Sequence, residues 1–324
     1  MAMRRHRAAR SSTGGFVVLG MLLLASGCAP LQSERLLGTA NAFPEPVEVT
    51  DVPFFPQEEY QCGPAALATV LTWSGIEITP DKLTPQVYLP ERQGSLQPEL
   101  LGAARRHGRI PYVLQPQIES LATEVASGHP VLVLQNLGVS FYSQWHYAVV
   151  VGFDLAKGDI VLRSGREQRH VVSLKTFEYT WQRGNYWAVV VLPPTKLPYT
   201  AEELRYLESV TALERIGMND VAAQAYATAL KRWPRSLPAL MGLGNVRHAL
   251  GNYAGAEEAF RAAVKFHPRS AIAHNNLAQT LADQQRFNEA ETVAREALDL
   301  GVDSPQQETF QKTLDDVLKA REPK

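Results

Sequence analysis

The chain has 324 residues, 32 Lys and Arg against 33 Asp and Glu, and a formal net charge of −1. With charge so balanced, and no Lys/Arg block beyond the first residues, nucleic acid is excluded as an expected partner. The length suits two modest domains. The histidines are scattered and no cysteine pair occurs, so neither a metal centre nor a cofactor is expected.

Met1–Gly14 carries Arg4, Arg5, Arg7 and Arg10 and no acid, and Gly15–Ala25 is apolar. This is the layout of a secretory signal, too short to stay in a bilayer as a permanent span. Its end, Leu24-Ala25-Ser26-Gly27-Cys28, resembles a bacterial lipobox. That resemblance implies cleavage after Gly27 and acylation (palmitate-type chains) of Cys28, with residues 1–27 as signal peptide. Ala29 in place of Asp implies sorting to the outer membrane, so the expected location is the cell envelope, on the periplasmic face of that membrane. The Pro- and Glu-containing stretch 28–47 reads as a tether.

Residues 48–194 show a mixed pattern. Helices are expected over Cys62–Ser74, Gln97–Gly108 and Ile118–Ser127. Apolar runs at Pro130–Gln135, His146–Phe153, Asp159–Arg163 and Tyr186–Leu192 read as strands. Helices first and strands after make an α+β order.

Past Pro193-Pro194 a repeat of 34 residues appears. Trp233-Pro234 recurs as His267-Pro268, and Ile216-Gly217 as Leu250-Gly251. The middle unit carries Leu240, Leu243, Gly244, Ala256, Phe260, Ala263 and Pro268 where a tetratricopeptide repeat needs small, aromatic and terminating residues. Three such repeats are expected over 201–304, with a capping helix and tail at 305–324. In this architecture the concave face would present Met241, Asn245, His248, Asn275 and Gln279. These side chains suit a peptide or protein partner held by amide hydrogen bonds.

Chemistry concentrates at Cys62. With Cys28 lipidated, Cys62 is the free thiol of an exported protein, which marks it as a candidate reactive group. Gly63-Pro64 followed by Ala65-Ala66-Leu67-Ala68 reads as a helix start, since Pro is tolerated in the first turn. A thiol at a helix N-terminus, paired with an imidazole, is expected to have a lowered pKa. A cysteine nucleophile also needs a base, an orienter for that base and oxyanion donors. Gln57, five residues upstream, is the candidate side-chain donor, with the Cys62 backbone N–H as the other. His146 is the candidate base because it alone among the histidines opens an apolar strand. A hairpin turning near Ala156-Lys157 would bring Ser164 opposite it.

The pattern Gln57-x4-Cys62-Gly63-Pro64-Ala65, with His146-Tyr147 followed by Val149-Val150, resembles the papain-like cysteine peptidase family C39 over residues 50–192. The resemblance implies a papain-like α+β fold, with Cys62 as nucleophile, His146 as base and Gln57 in the oxyanion hole. The family's third member is an Asp; Ser164 stands in its place, and a hydroxyl stabilises an imidazolium less than a carboxylate does. Family members that process double-glycine leaders are fused to exporters, whereas this sequence shows no Gly-x4-Gly-Lys loop. The expected function is therefore a lipid-anchored thiol peptidase acting on a peptide or protein substrate. Two alternatives stay open: a catalytically weak peptide-binding adaptor, and a thiol acyl-transferase or amidase.

Overall fold

The structure is a computed structural model that describes residues 31–38, 43, 46–56, 61–139 and 142–322. Cys28 and Gln57 lie outside the described residues.

A seven-stranded antiparallel sheet organises the first half, in the order β2-β7-β3-β4-β5-β6 with β1 added beside β4. The strands are β1 (Val47–Glu48), β2 (Ile110–Val113), β3 (Val131–Asn136), β4 (Trp145–Asp154), β5 (Asp159–Ser164), β6 (Glu167–Ser173) and β7 (Ala188–Leu192). β3 is buried at every position and β4 at most, because the sheet is covered on both faces. Between Val150 and Gly152 the β4–β5 register shifts. A side chain at Gly152 would strike the Val47 carbonyl at 2.5 Å, so glycine there is what admits β1.

One face packs against α2 (Cys62–Trp73), α3 (Pro80–Val87) and α4 (Gln97–Arg106). α2 is apolar nearly all round and is buried from Gly63 to Leu71. Its Leu67, Val70 and Leu71 share a core with Leu132, Tyr147, Val149 and Val189. Residue parity along β4 therefore sends Tyr147, Val149 and Val151 toward α2.

The other face packs against α5 (Ile118–Ala126) and α6 (Leu174–Gln182). The stretch read as a tether contains a docked helix, α1 (Gln32–Gly38). Its Leu36 is buried, and the Gln32 and Ser33 backbone amides both donate to the carboxylate of Glu178 at 2.7 Å. A helix start held on a buried carboxylate is anchored chain, not a free linker.

Six helices follow as three antiparallel pairs: α7 (Glu203–Glu214) with α8 (Asn219–Arg232), α9 (Leu237–Ala249) with α10 (Tyr253–Phe266), and α11 (Ala271–Asp283) with α12 (Phe287–Leu300). Close approach within the pairs depends on glycine: a Cβ at Gly244 would sit 2.3 Å from the Phe260 ring. α13 (Gln307–Arg321) closes the array with Phe310, Leu314 and Val317 buried.

The two halves share a core. Ile110, Tyr112 and Leu192 of the sheet domain cluster with Tyr206, Leu207, Val210 and Tyr226 of the first pair. Polar contacts reinforce the junction. The carboxylate of Glu124 on α5 is fully buried and accepts from the Thr200 backbone N–H (2.7 Å), the Thr200 hydroxyl (2.6 Å) and the His129 ring (2.7 Å). Burial pushes the Glu124 carboxyl pKa up, but these donors outweigh it and hold the pKa below the ordinary value.

Candidate active site

α2 begins at Cys62, so the thiol sits where the helix leaves its first N–H groups unpaired. The sulfur lies against the backbone amides of Tyr147, Gly63 and Cys62 itself. Tyr147 follows His146 directly, so the thiol is one peptide unit from the imidazole-bearing residue. Cys62 is the free cysteine among the described residues and is partly accessible.

His146 lies near the start of β4, where its neighbour β5 is about to end. The last β4–β5 pair at this end is Val149 with Arg163. Ser164, one residue on, stands level with Ala148, which makes His146 its diagonal neighbour on the same face. The contact forms: His146 Nε2 lies 2.8 Å from Ser164 Oγ. The tautomer protonated on Nε2 donates to the hydroxyl and leaves Nδ1 as an acceptor. The pairing thus differs from the expected one by register: Ser164 is not opposite His146 but diagonal to it, because the β4–β5 ladder shifts between Val150 and Gly152. The turn after Ser164 is Gly165-Arg166, with Gly165 at φ 57°, and it leads into β6.

The electrostatics differ from the expectation of a low-pKa thiol. Burial pushes the Cys62 thiol up, and the three backbone amides that pull it down do not compensate. Burial also depresses His146 to about 4, helped by the nearby His170. The sequence shows a helix start but not the depth at which it is placed, and depth decides the sign. At neutral pH the resting pair is therefore neutral thiol and neutral imidazole. Alkylation of Cys62 by iodoacetamide should rise with pH to an inflection above that of a free model thiol. His146→Ala should leave that inflection in place, because the imidazole is uncharged throughout that range. An inflection below pH 8 that disappears in His146→Ala would mean a preformed ion pair.

Tyr147 carries no sequence signal beyond its place directly after His146. It donates from its hydroxyl to the Ser95 carbonyl at 3.2 Å and packs edge-on to Trp187 at 5.9 Å. Gly63 has no room for a side chain: a Cβ would meet Ser95 Oγ at 2.4 Å. No local sequence signal pairs residue 63 with residue 95.

In the repeats, Asn245, His248, Asn275 and Gln279 line one concave cavity of about 230 Å³, with Phe260, Asn276 and Thr280. Asn276 donates to Asn245 Oδ1 at 3.0 Å, and His248 pairs with Asp283 at 2.7 Å. Asn275 Oδ1 is buried without a partner. Met241 instead packs among the apolar clusters of the repeat core.

The chain is thus a sheet-containing α+β domain followed by a run of paired helices. Residues 49–189 match the model of the Peptidase_C39 like family, and residues 207–271 and 249–305 match that of the Tetratricopeptide repeat. Among solved structures, a C39-like peptidase from Bacillus anthracis is similar at 18% identity and TM-score 0.40, covering 46% of this chain and 98% of its own. The double glycine motif protease of an AMS/PCAT transporter, solved with a leader peptide, is similar at 21% identity and TM-score 0.35, covering 45% of this chain and 96% of its own. The type III secretion translocator chaperone SycD from Yersinia enterocolitica is similar over the helical part, at 17% identity and TM-score 0.34, covering 36% of this chain and 83% of its own. No curated protein matches the chain.

Proposed function

We propose that the protein is a thiol peptidase of C39 type, anchored by lipid on Cys28 at the periplasmic face of the outer membrane, with a repeat scaffold that recruits a protein partner. The observation that carries the catalytic part is the placement of Cys62, at a helix start and one peptide unit from His146, whose Nε2 is held by Ser164. His146 Nδ1 takes the thiol proton as the sulfur attacks a peptide carbonyl. The same nitrogen then protonates the leaving amine, and water releases the thioester. The Cys62 N–H, with the Gln57 side chain, would receive the oxyanion. The test is whether new N-termini in the envelope fraction depend on Cys62.

Ser164 favours a second reading. A hydroxyl orients the imidazole but supplies no charge to the imidazolium formed during attack, which lowers the rate. A domain that holds peptides and cuts them slowly, or not at all, is the adaptor alternative. It is the reading to adopt if Cys62→Ala changes no terminus.

Among the described residues no helix is long and apolar enough to cross a membrane. Several acyl chains on one residue anchor stably, at about 0.8 kcal/mol per buried CH₂. Cys28→Ser should move the protein from the membrane to the soluble fraction; an unprocessed Met1 terminus on the mature wild type would contradict lipidation.

The asparagine-lined cavity is the proposed seat of the partner segment. The buried Asn275 Oδ1 lacks a donor, which a bound N–H would supply. Asn245→Ala with Asn275→Ala should abolish co-purification of envelope partners while leaving the helix content intact. Recovery of the same proteins by wild type and double mutant would place the partner elsewhere.

A further inference from the structure

The start of α1 is held to the body at several points, and the proposed mechanism uses none of these contacts. α1 begins at Gln32, four residues beyond Cys28. Its first two backbone amides donate to the buried Glu178 carboxylate. The Gln32 side chain donates from Nε2 to the Pro116 carbonyl at 3.2 Å, and its Oε1 accepts from the Ile118 backbone N–H at 2.8 Å. Leu36 is buried in the core under α5 and α6. Such clamping fixes the point at which the chain leaves the domain. Four residues, fully extended, reach at most about 14 Å. Whatever Cys28 carries is therefore confined to the neighbourhood of α1, on the sheet face that α5 and α6 cover.

The surface around α1 has the chemistry that this position calls for. α6 turns Leu174, Phe177, Glu178 and Trp181 inward. Its outward stripe is Lys175, Tyr179 and Arg183, each four residues from the next and all exposed. α1, packed on α6, adds the exposed Arg35 and Leu37. The acid among them is Glu34, 3.7 Å from Lys175. Three basic groups against one acid leave a surplus of positive charge around a half-exposed tyrosine ring. Tyrosine suits the headgroup layer of a bilayer, where one end of the ring is apolar and the other wet. Basic side chains beside it pair with anionic headgroups.

We propose that this face, α1 with the outer stripe of α6, lies on the phospholipid surface of the membrane that holds Cys28, so that anchoring fixes the orientation of the whole protein. The proposal rests on Cys28 being the lipid-bearing residue and deepens that reading. It bears on the substrate as well. Cys62 opens α2, which covers the face of the sheet opposite α1. With the α1 face on the bilayer, the thiol side points away from it. The chains offered to Cys62 are then soluble envelope proteins, or ones that project from elsewhere, and not segments lying on the anchoring membrane.

The test reads two native lysines. Lys175 lies on the proposed membrane face, and Lys82, exposed on α3, lies on the Cys62 side. The chain from Cys28 onward, with Cys62→Ala, keeps Cys28 as its one thiol and is coupled through it to a maleimide phospholipid in anionic vesicles. Acetylation of each lysine by an N-hydroxysuccinimide ester is followed by peptide mapping, on vesicles and for the same chain uncoupled in solution. On vesicles Lys175 should react about tenfold more slowly, the order expected for a basic surface held against anionic headgroups. Lys82 should react at an unchanged rate. An unchanged Lys175 rate overturns the face, and so does equal protection of both lysines. Glu178→Ala, which frees the start of α1, should leave the protein on the vesicles but return Lys175 to the rate seen in solution. Protection that survives in a folded Glu178→Ala chain overturns the orienting role of α1. Protection in whole envelopes but not on vesicles places a protein on this face and overturns the lipid contact. The synthetic anchor separates this result from the lipidation reading: if vesicles protect Lys175 while the protein from cells carries an unacylated Cys28, that reading fails and the lipid-facing surface stands.

Discussion

Replacing Cys62 with Ala is expected to lower kcat/KM on the natural substrate by a factor on the order of 10⁴ or more, and His146→Ala to fall nearly as far. The two groups act as one unit, since the imidazole has no task without the thiol. The double mutant should therefore be no worse than Cys62→Ala alone, far short of the product of the single losses. The pH profile carries a further signature. His146 titrates near 4, so it stays neutral, and able to accept the thiol proton, across the whole range above that. The acid limb of kcat/KM should therefore lie near pH 4 and not near the ordinary 6.5 of a free imidazole. Near-wild-type turnover in His146→Ala would remove it from the mechanism and leave Cys62 acting with another base.

The second large effect is structural. Tyr206 is fully buried in the core shared by the sheet domain and the first repeat, 6.3 Å from the Trp233 ring. Truncation of a large buried aromatic costs about 3–5 kcal/mol through lost burial and the cavity left behind. Tyr206→Ala should thus lower the urea midpoint of both halves together, because the core belongs to both. Tyr206→Phe should do the reverse. The Tyr206 hydroxyl is buried without a partner, so its removal relieves an unmet polar group and should leave stability unchanged or raised. Loss of helix signal in Tyr206→Ala with the sheet domain still folded would show that the halves unfold independently.

Much of this architecture was legible in the chain. The helix after Cys62 is an unbroken apolar run with Pro in its first turn. The repeats return in register every 34 residues. The hairpin between Asp154 and Asp159 brings Ser164 toward His146, but the register shift between Val150 and Gly152, which no counting foresees, is what sets the two on the same face. What was missed has local causes. β2 contains Pro111, which reads as a strand breaker, yet an edge strand tolerates it. β6, the other edge, runs Glu-Gln-Arg-His before its valines and looks like loop. α1 buries only Ser33 and Leu36, and the carboxylate that holds its start, Glu178, is 145 residues away. The chemistry of the thiol was half legible. Its position at a helix start could be read, but its burial, which raises its pKa, comes from packing across the sheet. The same holds for Ser95, whose place against Gly63 comes from packing and not from any local pattern.

The central claim is that Cys62 and His146 cut peptide bonds in the cell envelope. Protein N-termini are to be compared across envelopes of otherwise identical cells carrying wild type, Cys62→Ala or His146→Ala at equal abundance. At least one internal N-terminus should be present with wild type and missing with both mutants. Three identical sets of termini would contradict the account and favour a domain that holds peptides without cutting them.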